Sequence, residues 1–574
     1  MQQKEKDNDH LAVSVKDGEQ SEATHEQDGD RRAQSVSSVS FISSTTSNRW
    51  IDRLKKTAFK YRLYIHIVLW LLMSGFVCAA YVLQVPKGYN QELLVLGLLY
   101  GFISLRLLSR HLSFDPIIYP WYSITQKSLF YLNHHLSDRI RTIGYAACVM
   151  GIIIATVLAF PEKQESPRLK RLVSLLGMLV FISCTYASSK NRKAIRWNTI
   201  FTALLFQFLL ALFVFHTSVG QDLFNWILQF AVGYMHKASY GAEFLFGTAA
   251  VNANTFALNL FPVIIFFNST VQMLFYVGAL QWIFRKLSIV FMAFLDISGV
   301  EAIVAAATIK PFLGACENAL LIEPFAPKLT RSEIHQIMTC GFATVSGSTL
   351  YIYTSMGVSG QALITSCIMS IPSSIAVSKL RYPETELSET REARGIVIEI
   401  KDDVSNIVHA ATKGATAGIH IALTIGACVI TVLATLYAVN AFLTWLGQFL
   451  NIPELTLQLI TGYLFVPIAW FIGADNQDVV KVGSLMAIKI WSNEFIAFRE
   501  MIDVYKGQLT PKSELVATYA LCGFANLGTV GMQIGVLSAI APKRSDAISE
   551  IAISALICGS ISTWLSAAMA GMLV

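Results

Sequence analysis

The chain has 574 residues, of which 54% are hydrophobic and only 14% are charged. A soluble protein would carry about a quarter charged residues, so the composition excludes an ordinary soluble globular protein. The formal net charge is +6. Because the basic residues cluster in short loops beside apolar segments, this charge reflects membrane orientation and gives no reason to expect a nucleic-acid partner.

The first sixty residues differ in kind from the rest of the chain. They mix acidic and basic residues and include a Ser/Thr-rich stretch at residues 35–47. Such a segment cannot bury enough apolar surface to fold alone, and it lacks the apolar core and cleavage site of a secretory signal. We expect residues 1–60 to form a disordered cytoplasmic tail.

Several apolar runs reach the length of about 20 residues that a helix needs to cross the hydrocarbon core. The clearest are residues 63–83, 143–160, 199–215 and 421–443. We therefore expect an all-α polytopic membrane protein, with N-terminal transmembrane helices over residues 61–195.

Basic residues indicate the orientation of these spans. They precede the first span, lie between the second and third, and follow the fourth: Arg49, Arg53, Lys55, Lys56, Lys60, Arg62, Arg106, Arg110, Lys127, Arg139, Arg141, Lys190, Arg192, Lys193 and Arg196. Short loops rich in Lys and Arg stay on the cytoplasmic side, so all three regions, and the N-terminus with them, are expected there.

Two later apolar segments, residues 297–326 and 467–500, are interrupted by helix-breaking and ionisable residues. An unwound backbone at bilayer depth is tolerated only where it is buried in protein or lines a cavity. Ionisable groups at that depth indicate a solute or ion pathway. The two segments therefore predict two re-entrant helical hairpins, as in secondary transporters, within a transporter core over residues 196–574.

The sequence does not favour an enzyme. It contains neither a His-Glu-x-x-His nor a Gly-x-Ser-x-Gly motif, and Glu333 and His335 have the wrong spacing for the first of these. The nine cysteines lack CxxC pairs, and all except Cys316 are expected to be packing residues. We expect no metal site and no cofactor beyond a coupling ion.

Six separated segments carry a family signature: residues 196–208, 257–286, 332–348, 372–386, 493–498 and 514–531. Through them the chain resembles the concentrative nucleoside transporters. The resemblance implies a homotrimer whose subunits have a scaffold domain, a transport domain and two re-entrant hairpins around a central solute site. It also implies ion-driven import of nucleosides by an elevator-type mechanism, and an interfacial helix at residues 396–415.

Glu494, Asn526 and Thr529 match the ribose-contacting positions of that family. A ribose offers vicinal hydroxyls, which a carboxylate and a carboxamide can hold in one orientation. Asn526 and Thr529, three residues apart, are expected to share one helical face. The alternative is that Glu494 forms an ion pair with Lys489 or Arg499, and that Asn526 only forms hydrogen bonds to a neighbouring helix.

The tip of the first hairpin departs from the family pattern, in which the Gly is followed by Gln or Met, then Ser or Thr, then Glu. Here Gly314 is followed by Ala315, Cys316 and Glu317. The resemblance implies substrate contacts at these three positions, although Ala315 cannot bond a base through its side chain and Cys316 is a weak donor. Thr349 would compensate as a base-side residue. The alternative for Cys316 is a small buried hydrophobic residue.

The ion-coupling positions implied by the resemblance are Lys310, Leu313, Thr344 and Val345. Sodium-coupled members have an Asn before the hairpin Gly, and counted back without gaps that position is Lys310. An ammonium has no lone pair to offer and would itself occupy the place of Na⁺. Alternatively the segment is longer than in relatives and Lys310 extends towards the membrane interface. We expect coupling to H⁺ or Na⁺, with little dependence on Na⁺ and with Glu317 as the favoured proton carrier.

The predicted function is an ion-coupled symporter that imports nucleosides across the plasma membrane. Ala315 and Lys310 keep open a substrate-binding sensor or a facilitative carrier on the same scaffold. Concentrative uptake in a host without nucleoside transport would exclude that alternative.

Overall fold

The computed structural model describes residues 62–84, 138–159, 167–252, 255–309, 322–388, 404–452 and 454–574, together with a few positions between 93 and 104. Three predicted features lie outside the described residues. They are the tail, the tip of the first hairpin and the start of the expected interfacial helix: residues 1–60, Lys310, Leu313, Gly314, Ala315, Cys316, Glu317 and residues 396–403.

The secondary structure of the described residues is helical, as the sequence predicts. The α-helices are α1 Arg62–Gln84, α2 Asp138–Ala159, α3 Arg168–Ala187, α4 Trp197–His216, α5 Ser218–His236, α6 Ala238–Phe246, α7 Thr248–Asn252, α8 Phe256–Tyr276, α9 Ala279–Leu295, α10 Gly299–Ile309, α11 Arg331–Ala343, α12 Gly347–Ser355, α13 Gly360–Arg381, α14 Ile407–Phe449, α15 Leu457–Phe471, α16 Val479–Trp491, α17 Glu494–Asp503, α18 Pro511–Leu521, α19 Leu527–Ile540 and α20 Ser545–Leu573. Short 3₁₀ turns cover Arg192–Ala194, Glu323–Lys328 and Pro542–Arg544.

Eight helices of the described chain are long and apolar enough to cross a membrane. They include the four predicted spans, which correspond to α1, α2, α4 and part of α14. Helix α14 has 43 residues. Because it begins at Ile407 and continues without interruption, residues 407–415 of the expected interfacial helix are the first turns of this span.

The described chain divides into two units, one before residue 137 and one from Ser137 to Val574. In the first unit, Trp70 on α1 donates to the Ser104 hydroxyl at 2.9 Å. The boundary expected near residue 195 remains a prediction.

Helices α13 and α20 form the centre of the second unit. In the most apolar stretch of each helix, 89% of the residues of α13 and 78% of those of α20 are buried, against 11% of those of α14. Small hydroxyl residues join the two central helices: Ser370 and Ser566 hydroxyls lie 2.9 Å apart, and Ser373 donates to the Ser562 carbonyl at 3.1 Å. Small residues at such interfaces allow helix backbones to approach closely in a membrane.

Two helices break where they pass the centre of this unit. One unwinds between Ala343 and Gly347, which separates α11 from α12, and the other between Leu521 and Leu527, which separates α18 from α19. The breaks touch, because the Phe524 amide donates to the Thr344 carbonyl at 3.3 Å. Gly523 has a φ of 111°, and a Cβ there would lie 2.8 Å from the Phe342 carbonyl oxygen. Only glycine fits this position without strain.

The order of elements around these breaks recurs in the two halves of the unit. Helix α10, the broken pair α11–α12 and the long α13 are followed later by the hairpin α16–α17, the broken pair α18–α19 and the long α20. The later hairpin turns at Ser492–Asn493, where Asn493 accepts a hydrogen bond from the Ile496 amide at 3.0 Å. This repetition brings short helix termini together at one place.

Candidate solute-binding site

An open cavity lies at the broken helices. Three helix N-termini face it, because the N-cap residues of α12, α17 and α19 are Ser346, Asn493 and Asn526, and all three line the cavity. A helix N-terminus carries partial positive charge and favours a negative group nearby. The negative group here is Glu494, the first residue of α17.

Glu494 is the centre of a hydrogen-bonded network. The residue is 2% exposed. The Tyr353 hydroxyl donates to its Oε1 at 3.0 Å, and the Asn526 side-chain amide donates to its Oε2 at 2.8 Å. Both oxygens are therefore fixed by protein donors, and each keeps lone-pair capacity for a donor from the cavity.

Asn526 has one possible amide orientation in this network. Its Oδ1 accepts from the Thr529 amide and from the Thr529 hydroxyl, both at 2.9 Å, while its Nδ2 faces Glu494. The expectation that Asn526 and Thr529 share a helical face needs correction, since Asn526 is the N-cap and precedes the first helical turn. Both residues still line the cavity.

The alternative ion pairs for Glu494 are absent among the described residues. The Lys489 ammonium instead donates to the carbonyl oxygens of Ala520 at 2.9 Å and Cys522 at 3.4 Å, at the end of α18. Arg499 pairs with Asp503, at 3.2 Å. Glu494 is thus held by neutral donors and helix termini, and its remaining acceptor capacity faces the cavity.

The first break and the start of α12 contribute hydroxyl residues to the cavity lining. The Ser346 Oγ lies 2.9 Å from the Ser348 Oγ and 3.2 Å from the Thr349 Oγ1, and Thr349 donates to the Ser346 carbonyl at 2.8 Å. Thr349 was predicted from the sequence. Ser346 and Ser348 were not, although the run 344–349 contains four hydroxyl residues directly after a helix end.

Apolar side chains complete the lining. Phe495 and Phe524 come from the hairpin and from the second break, and α14 contributes a wall together with Ile264 of α8: Ile421, Ile425, Cys428, Val429 and Val432. Phe524 lies within the signature segment 514–531 but was not predicted as a site residue. The α14 wall had no signal of its own in the sequence, because its residues resemble any apolar span.

The predicted residues therefore divide into three groups. Thr349, Glu494, Asn526 and Thr529 line one cavity. Thr344 and Val345 lie in the first break, just before Ser346, and both are buried. The five hairpin-tip residues lie outside the described chain, so their predicted contacts remain predictions.

Comparison with known families agrees with this geometry. The model "Na+ dependent nucleoside transporter N-terminus" matches residues 176–249, "Nucleoside recognition" matches residues 257–360, and "Na+ dependent nucleoside transporter C-terminus" matches residues 362–571. All four cavity residues that were predicted lie within the last two matches.

Individual relatives extend the likeness over most of the chain. Solute carrier family 28 member 3 of Rattus norvegicus is 32% identical over 533 residues, which cover 90% of this chain and 73% of the relative. Sodium/nucleoside cotransporter 1 of Oryctolagus cuniculus is 32% identical over 455 residues, covering 77% and 68%.

Solved structures show the same fold. CNTnw in an inward-facing, substrate-bound state superposes with a TM-score of 0.64 at 33% identity, over 70% of this chain and 97% of that one. A CNTnw variant in an outward-facing state gives a TM-score of 0.66 at the same identity. The resemblance found in the sequence is confirmed: the chain belongs to the concentrative nucleoside transporter family, whose members cotransport nucleosides with a cation and are not enzymes.

Proposed function

We propose that this protein imports nucleosides in symport with a cation and holds the ribose at Glu494, Asn526 and Thr529. The observation that carries the proposal is the Glu494 carboxylate, whose two oxygens accept hydrogen bonds from Tyr353 and Asn526. A carboxylate only accepts hydrogen bonds, so its free capacity suits the donating hydroxyls of a ribose. The amide of Asn526 keeps one further donor for a ribose oxygen.

The base would then face the hydroxyl edge formed by Ser346, Ser348 and Thr349. Each hydroxyl both donates and accepts, and its hydrogen rotates to suit the partner. This edge can therefore adapt to different base edges, while the apolar lining contacts the faces of the base. We propose that Ala315, Cys316 and Glu317 of the first hairpin complete this side.

Uptake of radiolabelled purine and pyrimidine nucleosides into cells without nucleoside transport tests the proposal. We expect accumulation above the external concentration and weak competition by 3′-deoxynucleosides, which lack one ribose donor. Equilibration without accumulation would instead indicate a facilitative carrier. Binding without any uptake would indicate a sensor.

We propose that transport proceeds by an elevator movement along α14. The polar site residues come from α12, α17, α19 and the residues that cap them, whereas α14 contributes only Cys428 and aliphatic side chains. Apolar contact is non-directional, so such a wall can support sliding without breaking hydrogen bonds. A Cβ at Gly528 would lie 3.3 Å from the Asn526 Oδ1 and 3.5 Å from a Val432 methyl carbon, which is across this boundary.

A cross-link across that boundary tests the movement. The pair Gly528→Cys and Val432→Cys should lose uptake when oxidised and regain it on reduction, while each single variant stays insensitive to the oxidant. A cross-linked pair that still transports would contradict the elevator proposal. The variants should be made with Cys428 replaced by Ala, since this thiol lines the same wall.

The identity of the coupling ion is a separate proposal. The matching family models are described as Na⁺ dependent, whereas this sequence has Lys310 where a ligand Asn is expected. We propose that a proton drives transport, carried by Glu317. We also propose a homotrimer in the plasma membrane with a cytoplasmic N-terminus, which native mass spectrometry and accessibility of an N-terminal tag in intact cells would test.

A further inference from the structure

A second cavity lies at the start of α3, the loop between α15 and α16, and the start of α18. Its charged lining residues are Lys170, Asp475 and Lys512. It shares no lining residue with the solute cavity. Neither nucleoside binding nor ion coupling, as proposed above, uses this place.

Lys512 is the unusual group in this cavity. It is only 2% exposed, and its ammonium has no hydrogen-bond acceptor within the described chain. The ion pairs found among those residues do not include it either. A buried charge without a partner is destabilising, so a partner from outside the chain would be favoured.

The neighbouring carboxylates are already engaged. Asp475 accepts from the Lys170 ammonium through Oδ1 and from the Thr510 hydroxyl through Oδ2, both at 2.6 Å. Asp478 accepts from the Thr510 amide at 2.9 Å. These contacts organise the start of α18 and leave the Lys512 ammonium without a counter-charge of its own.

Lys512 has charges of both signs around it. Burial lowers its pKa to about 8; the nearby Asp475 carboxylate opposes this shift, while Lys170 and Arg171 on α3 add to it. Lys512 lies outside the eight candidate membrane spans. It is also in the first turn of α18, and a helix N-terminus favours anions through its dipole and its free amides.

We propose that this cavity binds a small inorganic anion, with the Lys512 ammonium as its principal ligand. The anion would link the start of α3, the loop before α16 and the start of α18, and so stabilise the base of the second hairpin. Chloride is the probe of choice, because it is small, monovalent and needs no directional donors. The anion is a structural ligand and not a transported ion.

The test measures the thermal stability of the purified full-length protein. Sodium chloride is titrated against sodium gluconate at constant ionic strength, since gluconate is too large for a compact anion site. We expect a saturable rise in Tm with chloride, because a ligand of the folded state stabilises it. In Lys512→Met the half-maximal chloride concentration should rise roughly tenfold or more, the loss of one charge-assisted contact.

Lys481→Met is the matched control. Its side chain is 31% exposed, lies 3.6 Å from Asp478 and does not line the cavity, so it should keep the wild-type chloride response. Equal responses in wild type and Lys512→Met, or no response in the wild type, would overturn the proposal.

A pH comparison decides the question if Lys512→Met fails to fold. Lysine loses its charge as the pH rises through about 8, so the wild-type chloride effect should weaken between pH 7 and pH 9. Lys512→Arg stays charged over this range and should keep the effect at pH 9 with normal nucleoside uptake. A loss of the effect in both proteins at pH 9 would exclude Lys512 as the ligand.

Discussion

The two broken helices meet at one cavity but bring different chemistry to it. The second break and its hairpin contribute a carboxylate and a carboxamide, Glu494 and Asn526, which bond each other. The first break contributes three hydroxyls, from Ser346, Ser348 and Thr349. A fixed acceptor orients a donor-rich ligand, whereas rotating hydroxyls adapt to several ligands. The repeated architecture therefore separates orientation of the sugar from selection of the base.

The electrostatics of the two breaks differ as well. Glu494 lies among three helix N-termini and bonds neutral donors, while the nearby Lys489 is engaged with the carbonyl oxygens of Ala520 and Cys522. The charge of Glu494 is thus balanced without a direct cationic partner. A carboxylate held in this way stays available to an incoming hydroxyl, which a tight ion pair would not allow.

The largest expected effect follows from disrupting the hydrogen-bond network of Glu494 and Asn526. Glu494→Gln and Asn526→Ala each remove a charge-assisted contact worth about 1.5–3 kcal/mol. This corresponds to a loss of roughly ten- to a hundredfold in affinity, so uptake at low nucleoside concentration should fall by about the same factor at normal surface expression. Glu500→Gln, on the same helix and outside the cavity lining, is the control. Normal transport by Asn526→Ala would remove α19 from the solute site.

A smaller effect is expected from the anchor behind the carboxylate. Tyr353→Phe keeps the ring packed against Phe495 and Phe498, at centroid distances of 4.8 Å, but removes the donor to Glu494. We expect a roughly tenfold rise in the apparent KM for nucleosides, at the low end of the range for charged hydrogen bonds. Tyr351→Phe, two residues earlier and bonded to His236, should transport normally. Equal behaviour of the two variants would argue against the orienting role of Tyr353.

This pair of tyrosines also shows how far the sequence alone can lead. The family signature predicted Thr349, Glu494, Asn526 and Thr529, because short motifs around helix breaks keep their spacing. It could not distinguish Tyr353 from Tyr351, since only the fold decides which face of α12 meets the hairpin. The apolar wall from α14 was unpredictable for the same reason. The α14 residues and the site residues around them lie about sixty or more positions apart in the chain. The sequence of an apolar helix does not indicate which distant residues it contacts.

The fold itself was predicted more completely. Runs of apolar residues set the four spans, because hydrocarbon thickness fixes their length. Helix-breaking and ionisable residues within apolar sequence predicted the interruption of the second hairpin segment, whereas the breaks at residues 344–346 and 522–526 were not predicted. Local detail was less accessible: the position of Asn526 as an N-cap depends on where the helix restarts, and the motif Gly523–Thr529 is compatible with more than one start.

Base selectivity should change less than affinity. Replacing Thr349 by Val removes one hydroxyl from an edge that retains Ser346 and Ser348, so we expect a few-fold change in the ratio of purine to pyrimidine uptake. The double variant Ala315→Gln with Cys316→Thr should narrow the substrate range by adding fixed partners for the base. The measurement is competition by a panel of unlabelled nucleosides. An unchanged profile in both variants would assign base recognition to other residues.

The smallest effect is expected from removing Na⁺. At the first break, the Thr344 hydroxyl donates to the Cys340 carbonyl at 2.9 Å and the Thr344 carbonyl accepts from the Phe524 amide, so this side of the predicted ion site is partly engaged. Sodium needs several oxygen ligands, and an ammonium from Lys310 at contact distance would add repulsion. Replacing Na⁺ by choline at fixed pH should therefore change uptake less than about twofold, while acidification should increase it through Glu317. Lys310→Asn should raise the Na⁺ dependence, because it restores an oxygen ligand. Uptake that collapses in choline and ignores acidification would instead refute proton coupling and the role of Lys310 as a built-in cation.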